Sequence, residues 1–175
     1  MFSKKLDKIA TDLENSGHKK LASAIDAVTN TIEKFAAVER EAEMRIPLEE
    51  IPEEVRIEGK QELIEQAFIA KADGTDVRVR KTTIMGEDGD PENSYTMTAK
   101  HRPMNQEAET EISPEIYEGL IPVFTSVMAK TRYKWKGWDV DDIHEGNDIG
   151  KIVAEYEYGE EDKTVAVPVT WKVKA

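Results

Sequence analysis

The chain contains no cysteine among its 175 residues. This absence excludes disulfide bonds, thiolate metal sites and cysteine nucleophiles together, and it is typical of a protein from a reducing compartment. Histidine is scarce, with three residues in the chain, which are too few for a histidine-based mechanism. The sequence also lacks a P-loop pattern and a Ser-His-Asp candidate. Any metal site must therefore be built from oxygen ligands.

Long apolar runs are missing as well. No stretch approaches the roughly 18 apolar residues that a membrane span needs, and the N-terminus lacks the apolar segment of a secretory signal. We therefore expect a cytoplasmic protein with no membrane partner. The formal net charge is -12, whereas proteins that bind a nucleic-acid backbone normally carry a basic surplus. We expect no nucleic-acid partner, although this charge balance permits a locally basic pocket.

The N-terminal region has the pattern of helices. Apolar residues recur at steps of three and four between residues 4 and 36, which predicts an amphipathic stripe. Asn15-Ser16-Gly17 interrupts the stripe and can end one helix before the next begins. We expect residues 1–37 to form a helical hairpin that packs on the domain or on a second copy of the chain, which would give a homodimer.

From Glu39 the apolar period changes from about 3.6 to 2, which predicts strands. The predicted strands cover residues 40–46, 65–70, 76–81, 94–100, 107–112, 130–136, 138–141 and 151–158. Ser113-Pro114 predicts the start of a helix that continues through Leu120 to Met128. Pro47 and Pro52 are expected to enclose an acidic loop, and Pro168 makes the last apolar run an edge strand or a loop. The sequence therefore predicts an α+β protein whose residues 38–175 form an antiparallel sheet or barrel.

Charged side chains of one sign share a face on several predicted strands. These rows are Arg78/Arg80, Glu107/Glu109/Glu111, Lys130/Arg132/Lys134 and Glu155/Glu157. An ordinary antiparallel sheet can expose such a face to solvent, and this alternative stays open for any single strand. A solvated surface usually mixes signs, because like charges that are directly opposed destabilise a sheet. Segregated rows favour a closed interior where cations hold an anion and carboxylates hold a metal.

The types of these side chains indicate the class of ligand. Carboxylate oxygens without thiols suit Mg²⁺ or Mn²⁺. Several converging arginines and lysines suit an anion with more than one phosphate, because arginine makes bidentate contacts. A metal together with a polyphosphate indicates phosphoryl chemistry. The aromatic residues of the strands are more typical of packing than of base stacking.

The order of the short motifs resembles the CYTH superfamily, the triphosphate tunnel metalloenzymes. Glu41-Ala42-Glu43-Met44-Arg45 resembles the family's Glu-x-Glu-x-Lys signature on the first strand, with arginine in the last place. Later segments that resemble family motifs, in the family's order, are Arg78 with Arg80, Thr98-Ala99-Lys100, Glu109-Thr110-Glu111, Lys130-Thr131-Arg132-Tyr133, Asp139-Val140-Asp141 and Ala154-Glu155-Tyr156-Glu157. One such motif is weak evidence, whereas the whole series in this order is fairly specific.

The resemblance implies a closed eight-stranded antiparallel β-barrel, or tunnel, that binds a triphosphate with Mg²⁺ or Mn²⁺. By motif position, it implies a metal role for Glu41, Glu43, Glu109, Glu111, Asp141, Glu155 and Glu157. It implies phosphate binding by Arg45, Arg78, Arg80, Lys100, Lys130 and Arg132. It implies catalytic roles for Glu41, Glu43, Arg45 and Lys100. After Glu157 only residues 171–174 are available for the element that usually closes one end of the tunnel, so we expect that end to be more open or to be closed by the N-terminal helices.

Family activities include hydrolysis of inorganic triphosphate, thiamine triphosphate or nucleoside triphosphates, and adenylate cyclisation. We expect metal-dependent hydrolysis of inorganic triphosphate or of a nucleoside triphosphate. Arg45 motivates an alternative, because arginine holds phosphate well but does not lose its proton to act as a base. The alternative is a protein that captures a triphosphate or nucleotide without turnover. An adenylate cyclase is the third hypothesis.

Overall fold

A computed structural model describes most of the chain. The described residues are 3–17, 19, 22–23, 25–26, 42–72, 74–101, 103, 106–158 and 165–174. Glu41 and the predicted helix over residues 27–36 lie outside the described residues, and Glu43 is described by its backbone alone. None of the described helices is both long enough and apolar enough to cross a membrane.

Two of the described helices begin close to where the sequence predicts, whereas the short helix over Glu53–Glu58 is not predicted. Helix α1 covers Ser3–Asn15 and ends at the predicted break, where Gly17 has a φ of 87°. This left-handed conformation favours glycine because glycine has no Cβ. Helix α2 covers Glu53–Glu58, and helix α3 covers Pro114–Leu120. The Ser113 side chain caps α3 by accepting a hydrogen bond from the backbone N–H of Ile116.

Two predictions about prolines and helices are wrong. Helix α3 does not continue to Met128, because it ends at Leu120 and is followed by a single 3₁₀ turn over Ile121–Val123. Pro122 lies in that turn, and a proline removes a backbone donor and disfavours a helical residue before it. Pro47 does not open the acidic loop but lies inside the first strand, so the loop is limited to residues 49–52, and helix α2 follows it.

Eight strands form one sheet with antiparallel pairing. They are β1 (Ala42–Leu48), β2 (Lys60–Ala72), β3 (Thr75–Met85), β4 (Pro91–His101), β5 (Gln106–Glu111), β6 (Ser126–Trp135), β7 (Trp138–Glu145) and β8 (Ile152–Tyr158). Their order in the sheet is β1-β8-β7-β6-β2-β3-β4-β5. The predicted α+β class is confirmed. Within the described ladders nothing pairs β1 with β5, so closure into a barrel stays a prediction.

The described chain divides into two compact units. Unit 1 comprises Met1–Glu39, Gln66–Lys81 and Ser94–Ser126, and unit 2 comprises Arg40–Glu65, Thr82–Asn93 and Val127–Ala175. The core of unit 1 includes the helical residues Ala10, Ala22, Ile25 and Leu120 with Val77, Val79, Met97 and Ala99 of the strands. The core of unit 2 is built from Leu48, Ile51, Val55, Trp138, Val140, Ala154 and Trp171. Because side chains alternate along a strand, the charged rows lie on the face away from each core.

Candidate functional site

The cations of β6 become more exposed along the strand. The exposed side-chain fraction is 9% for Lys130, 13% for Arg132 and 51% for Lys134. These residues share one face of β6, while Tyr133 packs against the core of unit 2. The first two cations are therefore largely removed from water, which is costly unless each is paired with an opposite charge.

The strand register supplies those opposite charges. Arg132 lies opposite Asp141 on β7, and Lys134 lies opposite Asp139. On the next pair of strands, Asp139 lies opposite Glu155 of β8. Two like charges in direct opposition would destabilise the sheet without a cation between them.

The guanidinium of Arg132 holds all three carboxylates. Its Nε donates to Oδ1 of Asp141 at 2.7 Å and its Nη2 donates to Oδ2 at 2.8 Å, so the contact with Asp141 is bidentate. Its Nη1 donates to Oδ2 of Asp139, and its Nη2 also reaches Oε2 of Glu155 at 3.3 Å. We call Arg132, Asp139, Asp141 and Glu155 the Arg132 cluster.

Lys130 adds a second cation to Asp141, with its Nζ donating to Oδ2. Burial and then the charge of Arg132 lower the pKa of Lys130. Burial alone would raise the pKa of Asp141, but the hydrogen bonds from Arg132 and the charge of Lys130 outweigh burial and hold that pKa below its usual value. Burial acts against the charge of Arg132, yet its bonds to Asp141 raise the guanidinium pKa. Asp141 is therefore a carboxylate held ionised by two cations.

Strand β1 extends this charged face. Arg45 lies opposite Glu155 in the register with β8, and Glu43 lies opposite Glu157. The Nε of Arg45 is 3.4 Å from Oε1 of Glu155, although the Arg45 side chain is 56% exposed. The backbone of β1 therefore places Glu43 and Arg45 on the same face of the sheet as Glu155 and Glu157 of β8.

Unit 1 carries a separate set of charges on β3, β4 and β5. The Nη2 of Arg78 is 3.0 Å from Oε1 of Glu107, and the Nζ of Lys100 is 3.1 Å from Oε2 of the same carboxylate. Two residues earlier on β4, the Thr98 hydroxyl donates to Oε2 of Glu109 at 2.7 Å. Glu111 lies opposite Thr96 in the same register. Arg80 follows Arg78 on the same face of β3.

Most of the predicted site residues therefore fall into two groups. Unit 2 brings together Glu43, Arg45, Lys130, Arg132, Asp141, Glu155 and Glu157 on one face of β1, β6, β7 and β8. Unit 1 carries Arg78, Arg80, Lys100, Glu109 and Glu111 on β3, β4 and β5. The site residues assigned from the sequence omit Asp139 and Glu107, although Glu107 belongs to the acidic row of β5 and Asp139 to the Asp139-Val140-Asp141 motif. Each lies two residues before an assigned carboxylate, on the same face of its strand.

The charged rows differ in how far they are shielded from solvent. The exposed side-chain fraction is 17% for Arg78 and 21% for Glu155, whereas Glu109, Glu111 and Glu157 are exposed. A charged side chain on an ordinary outer face would be largely hydrated. Arg78 and Glu155 therefore do not simply face bulk water.

The carboxylates fit a hard divalent cation in their chemistry, because all of their donors are oxygens. Among the described residues, however, no three acidic or histidine side chains stand together as a group that could hold a metal. Asp139 and Asp141 are held by Arg132, and Glu155 is shared between Arg45 and Arg132. The predicted metal roles of Glu41, Glu43, Glu109, Glu111, Asp141, Glu155 and Glu157 stay predictions.

Comparison with known proteins found no matching family model and no matching curated protein. Solved structures that resemble the chain include a hypothetical protein, NE1496, which is 22% identical over 76% of this chain and 87% of its own, with a TM-score of 0.48. A putative adenylyl cyclase from Hippeastrum, described as having a dominant triphosphatase activity, is 13% identical over 70% and 81%, with a TM-score of 0.44. A putative adenylate cyclase from Vibrio parahaemolyticus is 8% identical over 71% and 79%, with a TM-score of 0.43. Since these TM-scores are below 0.5, the functional argument rests on the residues of this chain.

Proposed function

We propose that the protein is a divalent-metal-dependent triphosphatase that acts on inorganic triphosphate or a nucleoside triphosphate. The observation that carries the proposal is the Arg132 cluster, where largely buried cations of β6 face carboxylates of β7 and β8. A site for a metal-bound polyphosphate needs both kinds of side chain within reach of one ligand. The proposal includes closure of the sheet into the tunnel that the motif resemblance implies.

The cations of unit 2 would bind the phosphate oxygens. The planar fork of Arg132 suits bidentate contact with a phosphate, as it now contacts Asp141. Lys130 would add a point charge, and Arg45 would reach the ligand from β1. In the structure their charges are balanced by carboxylates, so binding would exchange these ion pairs for contacts with phosphate.

The carboxylates of the same face, with Glu41 and Glu43, would hold Mg²⁺ or Mn²⁺. When bound, the cation would neutralise negative charge on the phosphate oxygens. Asp141 is already held ionised by Lys130 and Arg132, so it need not lose a proton before it serves as a ligand.

A substrate panel tests this proposal. The purified protein is incubated with inorganic triphosphate, nucleoside triphosphates and thiamine triphosphate, each with Mg²⁺, with Mn²⁺ and with a chelator. We expect metal-dependent release of phosphate, most rapidly from inorganic triphosphate or a nucleoside triphosphate. Glu43→Ala and Glu155→Ala should lower the rate at least a hundredfold, in the range seen when groups that stabilise transition-state charge are removed.

The matched control is Glu145→Ala, which removes an exposed carboxylate at the end of β7. It should leave phosphate release within about twofold of the unmodified protein, as expected for a surface substitution. Circular dichroism of each variant verifies that the fold is retained. The proposal fails if folded Glu43→Ala and Glu155→Ala proteins both release phosphate at the unmodified rate.

The second candidate is a protein that binds a triphosphate without turnover. Arg45 favours it, because this arginine takes the place of a lysine that could act as a base in the resembling motif. Tight binding of inorganic triphosphate with no phosphate release in any arm of the panel would establish this function. Formation of a cyclic product from ATP would establish the cyclase instead.

A further inference from the structure

Glu107 of β5 forms ion pairs with two of the cations to which the motif resemblance assigns phosphate binding. Arg78 of β3 contacts one oxygen of this carboxylate and Lys100 of β4 contacts the other, at 3.0 Å and 3.1 Å. The three strands are neighbours in the sheet. The carboxylate thus takes the position of an anion chelated between a guanidinium and an ammonium group.

The two cations retain binding capacity that this carboxylate does not use. One carboxylate charge faces two positive charges, whereas the end of a triphosphate carries more negative charge and more oxygens. The Nε of Arg78 is buried and has no hydrogen-bond partner among the described residues. A larger anion could use this remaining donor.

Glu107 also lies outside the motif that is assigned to metal binding on β5. That motif is Glu109-Thr110-Glu111, and Glu109 already accepts a hydrogen bond from Thr98. The register instead puts Glu107 directly opposite Lys100. Its side chain is 37% exposed, so it could leave the two cations without unfolding the strand.

We propose that Glu107 is a built-in competitor that holds Arg78 and Lys100 when no ligand is present and lowers the affinity of the protein for polyphosphate. This inference rests on the proposed function, because it takes a triphosphate as the ligand. When the binding groups of a protein are occupied in its major state, its apparent affinity equals the intrinsic affinity multiplied by the fraction of molecules in which those groups are free to bind. Removal of Glu107 should therefore tighten binding, although the residue touches the binding groups themselves.

Isothermal titration with inorganic triphosphate, in the presence of a chelator and at low salt, tests this competition. Glu107→Gln should bind roughly three- to tenfold more tightly than the unmodified protein, the range expected from releasing partly exposed ion pairs. In the Glu107→Gln variant the amide oxygen could still accept a hydrogen bond from Arg78 or Lys100. Glu107→Thr is therefore a second test, because its shorter side chain suits a strand, and it should also bind triphosphate more tightly. The control Glu118→Gln removes the same charge from an exposed position of α3 and should change affinity less than about twofold.

A double-mutant cycle separates competition from a general change of charge or structure. In an Arg78→Gln background the gain from Glu107→Gln should shrink markedly, because one of the two cations to be released is gone. Without ligand, Glu107→Gln should not raise the melting temperature, since it loses two ion pairs. With triphosphate, its melting temperature should rise more than that of the unmodified protein.

The outcomes distinguish this inference from the proposed function. If the unmodified protein binds triphosphate and both Glu107 variants bind it equally or more weakly, the inference is overturned and the proposed function stands. If none of these proteins binds triphosphate with or without Mg²⁺, the proposed function is overturned and the inference with it. Tighter binding by the variants supports the inference, whether or not the substrate panel detects turnover.

Discussion

Arg132 is the residue on which most of the charged face of unit 2 depends. Its 13% exposed side chain contacts Asp139, Asp141 and Glu155, and Asp141 is itself only 4% exposed. A buried carboxylate that loses a cation partner retains the cost of its own desolvation. Arginine is also required by geometry, because a lysine cannot contact both oxygens of Asp141 through a planar fork.

Replacement of this arginine should destabilise the protein strongly. We expect Arg132→Ala to lower the free energy of unfolding by about 3 kcal/mol, as is typical when one partner of a buried ion pair is removed. Urea unfolding followed by far-UV circular dichroism measures the change. Lys151→Ala removes a 61% exposed cation from a surface ion pair with Asp148 and should cost less than about 1 kcal/mol. Equal losses in the two variants would contradict this account of the cluster.

Asp141 should make the stability of the protein depend on acid pH. Its pKa in the folded protein is held below the usual value of an aspartate, because the hydrogen bonds and charges of Arg132 and Lys130 outweigh burial. The unfolded chain therefore binds a proton at higher pH than the folded chain does. The stability that Asp141 contributes is fully present above its pKa in the unfolded chain. It is lost as the pH falls through its pKa in the folded protein.

Unfolding curves between neutral pH and about pH 3 check this sign, since that interval spans the unfolded pKa of a carboxyl group. The unmodified protein should lose stability steeply in the acid part of the range. Asp141→Asn, which cannot titrate, should be less stable at neutral pH and should show a shallower acid dependence. A slope that is unchanged in Asp141→Asn would show that other carboxylates cause the acid loss.

At the scale of elements, the segment over residues 165–174 is hydrogen-bonded to helix α2. Trp171 and Thr170 both donate side-chain hydrogen bonds to Oε1 of Glu54, at 3.1 Å and 2.8 Å. The Trp171 ring is 6% exposed and its centroid lies 4.9 Å from that of Trp138. The segment also forms one bridge to β1, between Leu48 and Val173. This short segment therefore completes the core of unit 2 without forming a regular strand.

Truncation of the Trp171 side chain should open that core. We expect Trp171→Ala to cost about 3 kcal/mol or more, as is usual when a large buried aromatic side chain is deleted. Chemical unfolding followed by circular dichroism again provides the measurement. Val169→Ala, at a fully exposed position of the same segment, should have almost no effect. If Trp171→Ala unfolds at the unmodified denaturant concentration, the segment does not stabilise unit 2.

Sequence patterns located the central elements well where alternation was strong. Strands β6, β7 and β8 were predicted near their observed positions because charged and apolar residues alternate along them. The register of β6 with β7 follows from a two-residue turn, since Lys136 and Gly137 have φ values of 47° and 85°. Such a turn determines which residues face each other. The opposition of Arg132 and Asp141 was therefore implicit in the sequence.

Other features depend on contacts that the sequence does not encode locally. The register of β1 with β8 joins residues far apart in the chain, so no turn specifies that Arg45 lies opposite Glu155. Pro47 alone predicts the start of a loop. In the structure it lies in β1, the first strand in the sheet order, where the missing backbone N–H of a proline is tolerated. The sequence also separated cations and carboxylates into two ligand sets. It did not show that the cations and carboxylates pair with each other, as Arg132 does with Asp141.

The whole molecule carries a charge of -12, which repels a polyanion at a distance. The row on β6 does not reverse that field, because Lys134 is paired with Glu62 at 3.3 Å and the two inner cations are paired with Asp141. A triphosphate, the ligand that we propose, would thus meet a repulsive barrier as it approaches. Salt would weaken this barrier more than the short-range contacts at the site, because screening acts mainly on distant, hydrated charges. Moderate ionic strength would therefore speed the capture of such an anion, the reverse of what a uniformly basic binding surface produces.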